Sequence, residues 1–307
     1  MVAPSGEQYE ISSGGYHAVV TECGGGLRLL RYDERLLVEG YDVTEHASAG
    51  RGQLLLPWPN RIEDGAYTFA DRELQLPISE VPRNNASHGL TRWAAWTLEE
   101  QTGQSVSLLY QLMAQAGYPW TVDLHVLYDV SADGLTVTVT ASNMSDSPAP
   151  YAQGAHPYLT VGDDGVDSWE LTLPGDTRVL TNERMLPVGL EPVDGTAYDF
   201  RVPRPIRDLQ LDHAFTDLRR GPDGRVEVQL RSSRTGAAVL VWMDDAHGWV
   251  QVYSGDDLDP GNARRSLAIE PMTAPANAFR TGEGLVVLGP AGSADDTHSS
   301  SWGISRL

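Results

Sequence analysis

The stretch WTVDLHVLYDVSADGLTVTVTAS, residues 120–142, decides the fold. In its first half Val122, Leu124, Val126, Tyr128 and Val130 share one parity, whereas Thr121, Asp123, His125 and Asp129 share the other. Side chains alternate between faces along an extended chain, so this run predicts a strand with one face buried. Leu135, Val137, Val139 and Ala141 repeat the pattern against Thr136, Thr138, Thr140 and Ser142, with Ala132-Asp133-Gly134 as the turn between the runs. Together they predict a β-hairpin.

Outward from the hairpin, further alternating or apolar runs lie at residues 17–22, 105–113, 225–231, 237–243, 249–253, 267–270 and 284–289. Turn clusters separate them, such as Gly221-Pro222-Asp223-Gly224 and Ser233-Arg234-Thr235-Gly236. No three-turn amphipathic helix is legible, and 31 Gly and 19 Pro punctuate the short runs. The pattern predicts an all-β fold, a large antiparallel β-sandwich. The 307 residues carry no repeat and no linker, so residues 1–290 read as a single domain. Residues 291–307, rich in Ser, Gly and Asp, read as a loosely ordered tail that only Trp302 and Ile304 would tie down.

Composition removes whole classes of chemistry. All 22 basic side chains are Arg and none is Lys, so Schiff-base, pyridoxal-phosphate and P-loop chemistry have no lysine to use. A net charge of −20 argues against a nucleic-acid partner and against an anionic membrane surface. Cys23 is the lone cysteine, so neither an internal disulfide nor a CxxC site is available. The opening residues have neither the basic start nor the apolar core of a secretory signal, and the expected location is the cytoplasm. Cys23-Gly24-Gly25-Gly26 begins like a dinucleotide fingerprint but has Leu29 where the third glycine belongs, and reads as a turn. The eight histidines include no H-x-H or H-x-x-x-H pair.

Five segments place polar residues among apolar or restricted neighbours: LPWPNRI (56–62), NASHGL (85–90), GAHPYL (154–159), LDHAF (211–215) and AIEPMTAPANAF (268–279). Singly, each has an ordinary structural reading. Arg61 fits a surface ion pair, His88 a turn before Gly89, His156 an extended residue held by Pro157, and Asp212 an Asx-turn. Glu270 stands apart, because it follows Leu267-Ala268-Ile269 and precedes Pro271, at a predicted strand end where burial would lift its pKa above about 4.3.

As an ordered series, NRI, HG, H-x-Y, DH and EP resemble the aldose 1-epimerase (galactose mutarotase) family, and VQVYSGD at 250–256 is similar to the family's glutamine-bearing strand. The resemblance implies a galactose mutarotase-like supersandwich and a cofactor-independent isomerase that interconverts the α and β anomers of a free hexose, a small monosaccharide partner. It places the catalytic base on Glu270 and the acid on His156. It places substrate binding on Asn60, Arg61, His88, Tyr158, Asp212 and Gln251. The chain reads HPYLTV where many galactose-type members carry HSYFNL, and Met272 where they carry glutamine. These departures resemble a bacterial branch whose sugar preference varies and includes modified hexoses.

The implied chemistry suits these residue types. Ring opening takes a proton from the anomeric hydroxyl and delivers one to the ring oxygen, and rotation about C1–C2 followed by reclosure gives the other anomer. One base and one acid suffice. Glu270 as carboxylate and His156 as imidazolium, its pKa raised by a nearby carboxylate, are the expected starting forms, and Trp58 is a candidate to cover the apolar face of the ring. Two other classes fit the same residues: glycoside hydrolysis by the Asp212 and Glu270 carboxylates, or a carbohydrate-binding sandwich without turnover. A metal held by His88, His156 and Glu270 would leave no local spacing to read.

Overall fold

In the computed structural model, which describes residues 2–307, the decisive stretch is a hairpin of two ten-residue strands, Val122–Ser131 and Gly134–Asn143. Ser131 pairs with Gly134, which leaves Ala132 and Asp133 as a two-residue turn. Gly134 therefore belongs to the strand, and its φ of +128° is a conformation that other residues rarely adopt. Val122, Leu124, Val126, Tyr128 and Val130 are buried, as are Leu135, Val137, Val139 and Ala141.

This hairpin lies in a nine-stranded antiparallel sheet. Its order is Thr97–Gln101, Ser105–Leu112, Val122–Ser131, Gly134–Asn143, Thr297–Arg306, Ala238–Met243, Val226–Ser232, Trp169–Thr172 and Arg204–Pro205. A twelve-stranded sheet packs against it. Along that sheet run Gln8–Ser13, Tyr16–Thr21, Leu27–Tyr32, Arg35–Val38, Tyr158–Leu159, Leu267–Met272, Trp249–Tyr253, Asp212–Leu218, Gly175–Thr181 and Pro187–Pro192, with two short strands, Leu54–Leu55 and Gly154–Ala155, beside this path. One continuous apolar core fills the space between the sheets, from Ile11 and Val20 on one side to Val137 and Ile304 on the other. The only α-helix among the described residues is the single turn Ala278–Thr281.

The reading of residues 291–307 as a loose tail is corrected. Residues Thr297–Arg306 form a strand between Gly134–Asn143 and Ala238–Met243, with Thr297–Ile304 paired to the first and Trp302–Arg306 to the second. Trp302 and Ile304 are buried in the core. The hydroxyl side chains that suggested disorder line the opposite face, where Ser301, Ser299 and Thr297 meet Thr138, Thr140 and Ser142 at 2.8, 3.0 and 2.9 Å. Such cross-strand hydroxyl pairs support a sheet that faces water on one side.

The twelve-stranded sheet positions the polar residues of interest. Gln251 pairs with Glu270 and also with Ala214, two residues beyond Asp212, so period-two alternation sends Asp212, Gln251 and Glu270 to one face. Val250, Val252, Leu267 and Ile269 point the other way into the core. Glu270 was expected at a strand end, but the strand continues through Pro271 to Met272. Pro157 and Pro271 both lack an N–H, and no pairs form between Gly154↔Met272 and Tyr158↔Ala268, although the Ile269 N–H still donates to the Pro157 carbonyl at 3.2 Å. That interruption is where His156 sits.

Candidate active site

On the polar face of the twelve-stranded sheet lies a pocket of about 390 Å³. Glu270, His156, Asn60, Arg61, His88, Asp212 and Gln251 all line it. Residues separated by more than 200 positions thus converge, which no local spacing could have announced. A larger hollow of about 590 Å³ beside the Ala66–Phe69 and Arg72–Gln75 hairpin brings together only Glu73 and Arg280 as charged groups.

At the floor, His156 Nε2 lies 3.4 Å from Glu270 Oε1. The two residues are 6% and 2% exposed. Glu270 Oε2 and His156 Nδ1 are both buried and have no protein partner. Leaving buried polar atoms unpaired is costly, and here both belong to one contacting pair. Burial pushes the Glu270 carboxyl well above its usual range, the Asp212 carboxylate adds to this, and Arg61 opposes it. Burial also pushes His156 down to about 3, with Arg92, Arg51 and Arg61 acting in the same direction. The expectation of a histidine raised by its carboxylate neighbour is therefore corrected, because desolvation and three guanidinium groups act against the charged ring and the opposing cause is a backbone hydrogen bond.

The walls form a connected network. Asn60 Nδ2 donates to Gln251 Oε1 at 3.3 Å, and Gln251 Nε2 donates to Asp212 Oδ1 at 2.5 Å. Burial raises the pKa of Asp212, while Arg61 and the bond from Gln251 oppose the rise. Arg61 makes a forked pair with Glu80 at 2.9 and 3.0 Å and donates to Asn60 Oδ1 at 3.3 Å. Arg61 thus does have an ion-pair partner, but a partly buried one inside the site rather than at an outer surface. The Asn60 backbone N–H donates to His88 Nδ1 at 3.2 Å, and the His88 N–H donates to the Asn60 carbonyl at 2.8 Å. This bonding assigns the His88 proton to Nε2 and leaves that donor for a ligand. Both residues have left-handed backbones, with φ of +54° at Asn60 and +60° at His88, as at other strained functional sites.

Two expectations are not met. Tyr158 does not line the pocket. It is fully buried, its hydroxyl donates to the Ala49 carbonyl at 2.9 Å, and its ring stacks behind His156 with centroids 5.0 Å apart and planes 18° from parallel. The hydroxyl is spent on the backbone, so Tyr158 supports the histidine from behind. Trp58 is 2% exposed and packs on Phe279 in the core, so it cannot cover a sugar. Trp93, 56% exposed, is the tryptophan at the pocket wall. Sequence reading also missed Glu80, Arg92, Tyr253 and Asp257, all of which line the pocket. Arg92 and Trp93 follow the HG motif closely, and that proximity was the available signal. Among the described residues no group of three or more His, Cys, Asp and Glu side chains is arranged to hold a metal, so His88, His156 and Glu270 do not form such a cluster. Nor is any helix long and apolar enough to cross a membrane.

An uncharacterized protein of Escherichia coli K12, YihR, is 35% identical over 285 residues, covering 92% of this chain and 89% of its own. A maltose epimerase of Levilactobacillus brevis is 27% identical over 259 residues, covering 74% of this chain and 72% of its own. In fold, the chain is similar to a putative aldose 1-epimerase of Escherichia coli K12, with a TM-score of 0.85, 19% identity and coverage of 98% and 99% of the two chains. It is equally similar to an aldose epimerase homologue of Caenorhabditis elegans, with a TM-score of 0.85, 21% identity and coverage of 98% of each. The family model described as aldose 1-epimerase matches residues 7–295, nearly the whole chain, and the protein belongs to that family.

Proposed function

We propose that this protein interconverts the α and β anomers of a free hexose, with Glu270 as the base at the anomeric hydroxyl and His156 as the acid at the ring oxygen. The observation that carries the reading is the 3.4 Å approach of the two groups at the pocket floor, each with a buried polar atom left for a ligand. Opening the ring moves a proton from O1–H to Glu270 and another from His156 to O5, so both protein groups end uncharged. A dry site favours that uncharged pair. Burial therefore favours the pairing that accompanies the open-chain aldehyde, the scarce species on the reaction path, and reclosure reverses each transfer. In the empty pocket the single shared proton rests on Glu270, and entry of the sugar draws it across to His156.

Around that centre, Arg61 is held by Glu80 in a fixed orientation, and Asp212, Gln251, Asn60 and the His88 Nε2–H supply acceptors and donors for the sugar hydroxyls. Trp93 offers an aromatic face at the wall. The group opposite Glu270 is a histidine and not a second carboxylate, and Asp212 already accepts from Gln251, which favours anomer exchange over glycoside hydrolysis. The departures at Pro157 and Met272 leave the choice among hexoses to experiment.

Polarimetry on freshly dissolved α-glucose, α-galactose and a panel of other hexoses tests the proposal. The optical rotation is expected to relax faster with protein than with buffer for at least one sugar, and relaxation at the buffer rate for all of them would overturn it. The pH dependence gives a second test. The working pair holds one proton, gains an inactive second proton as pH falls through the His156 value of about 3, and loses its only proton as pH rises through the elevated Glu270 value. The acid limb of kcat/KM is expected near pH 3, below the free carboxyl value of about 4.3. An acid limb at or above the free value would contradict the assignment.

A further inference from the structure

Arg51 presents a problem of charge. Carboxylates outnumber arginines 42 to 22 in this chain, yet no carboxylate lies within ion-pair distance of Arg51 among the described residues. Its side chain is buried at 5% exposure, Nη1 donates to Ser48 Oγ at 3.2 Å, and Nη2 is buried without a partner. An unpaired buried guanidinium is costly, so a reason for it is needed. It does not line the sugar pocket, although its neighbours Ala49 and Gly50 do. A direct contact with the sugar is therefore not the reason.

What Arg51 touches is Tyr158. Its guanidinium carbon lies 4.7 Å from the centre of that ring, which also meets the Tyr253 ring edge-on at 6.3 Å and the His156 imidazole, 5.0 Å away and nearly parallel. The segment carrying Arg51 grips the same histidine. His156 N–H donates to the Gln53 carbonyl at 3.1 Å, Gly52 N–H donates to the His156 carbonyl at 2.9 Å, and Tyr158 is tied to Ala49. At Gly50, with φ of +76°, a Cβ would stand 2.8 Å from His156 Cδ2, so only glycine permits this approach.

We propose that Arg51 is a positioning residue, which through the face of Tyr158 holds the plane of the His156 ring and keeps that ring uncharged in the empty pocket. The inference rests on the proposed role of His156 as the acid. The charged and titratable groups around the imidazole are Glu270 at 3.4 Å, the His88 ring at 5.7 Å, Tyr158, and the guanidinium groups of Arg51, Arg61 and Arg92. Glu80 offsets Arg61 through their forked pair. Arg51 has no such offset, and its charge sits no more than about 10 Å along the stack, near enough to matter where water is scarce. An imidazolium would also carry a buried Nδ1–H with no protein acceptor.

The test uses the full chain with R51M, which removes the charge, and R51K, which restores it without the planar face. Imidazole ¹⁵N shifts of His156 are expected to show an uncharged ring in the unmodified protein at pH 5. In R51M the ring is expected to titrate about one pH unit higher, the size of effect a unit charge at this distance produces. The acid limb of kcat/KM should move up with it, and kcat should fall about tenfold with KM within about twofold, because Arg51 does not reach the sugar. R51K should return the acid limb to its original position while recovering only part of kcat. A purely structural role would lower kcat and leave the acid limb in place, which would overturn the proposal, as would an imidazolium signal at pH 5 in the unmodified protein. That last reading needs no variant to fold and no sugar to turn over, so it separates failure here from failure of the anomer-exchange reading.

Discussion

Glu270→Gln is expected to slow anomer interconversion by about 10²–10⁴-fold while leaving sugar affinity nearly unchanged. The substitution is close to isosteric, so the pocket keeps its shape. It removes the one group that both accepts the anomeric proton and returns it on reclosure, and an amide can do neither. Glu270 Oε2 makes no protein hydrogen bond, so no network collapses with it. Fold stability should hold or rise, because a buried ionisable group with an elevated pKa is traded for a neutral one. Polarimetry with the variant gives the rate, and calorimetric titration with a non-saturating sugar series gives the affinity. A rate within twofold of the parent would remove Glu270 from the mechanism. A parallel loss of rate and affinity would instead mark it as a binding residue.

Truncation after Asp296 is expected to abolish folding altogether. The strand Thr297–Arg306 lies between Gly134–Asn143 and Ala238–Met243, so removing it strips a ladder from each and opens the smaller sheet in the middle. Trp302 is buried in the core, and a tryptophan buries on the order of 200 Å², or about 5 kcal/mol at 25 cal/mol per Å². Ile304 adds about 2 kcal/mol by the same reckoning. Domains of this kind hold only about 5–15 kcal/mol in total, before any cost of the unpaired backbone is counted. Circular dichroism and thermal denaturation of the soluble fraction provide the check. A cooperative melt within a few degrees of the full chain would show that this strand is dispensable.

The misreading of that strand and the correct reading of the hairpin share one physical origin. In residues 122–141 the outward positions carry Thr, Asp and His between Val and Leu, a contrast that period-two analysis detects easily. In Thr297–Arg306 the inward positions before Trp302 and Ile304 are the polar His298 and Ser300, and Gly303 on the outward side has room for no side chain against the Leu135 carbonyl and the Trp242 ring. Contrast between faces is lost there, and composition misleads. The candidate site shows the same division. Glu270 and Gln251 were legible because predicted strand and motif agreed and Asp212 through its motif alone, whereas the inward turn of Trp58 and the outward place of Trp93 depend on how loops cross the sheet. Tyr158 was legible as a neighbour of His156, but the direction of its hydroxyl is set by the carbonyl of Ala49, more than 100 residues earlier.

The hydroxyl pair of Thr138 and Ser301 joins residues 163 positions apart, and this carries a cost in time. At a synthesis rate of about 5–20 residues per second, the Gly134–Asn143 edge waits roughly 8–30 s for its permanent neighbour. During that interval it is a long strand with an open row of N–H and C=O groups, the kind of edge that recruits the wrong partner. Assembly dominated by such distant pairings is also slow once the whole chain is present. Yield on expression should therefore respond to temperature and to chaperone supply more steeply than the finished sandwich responds to heat.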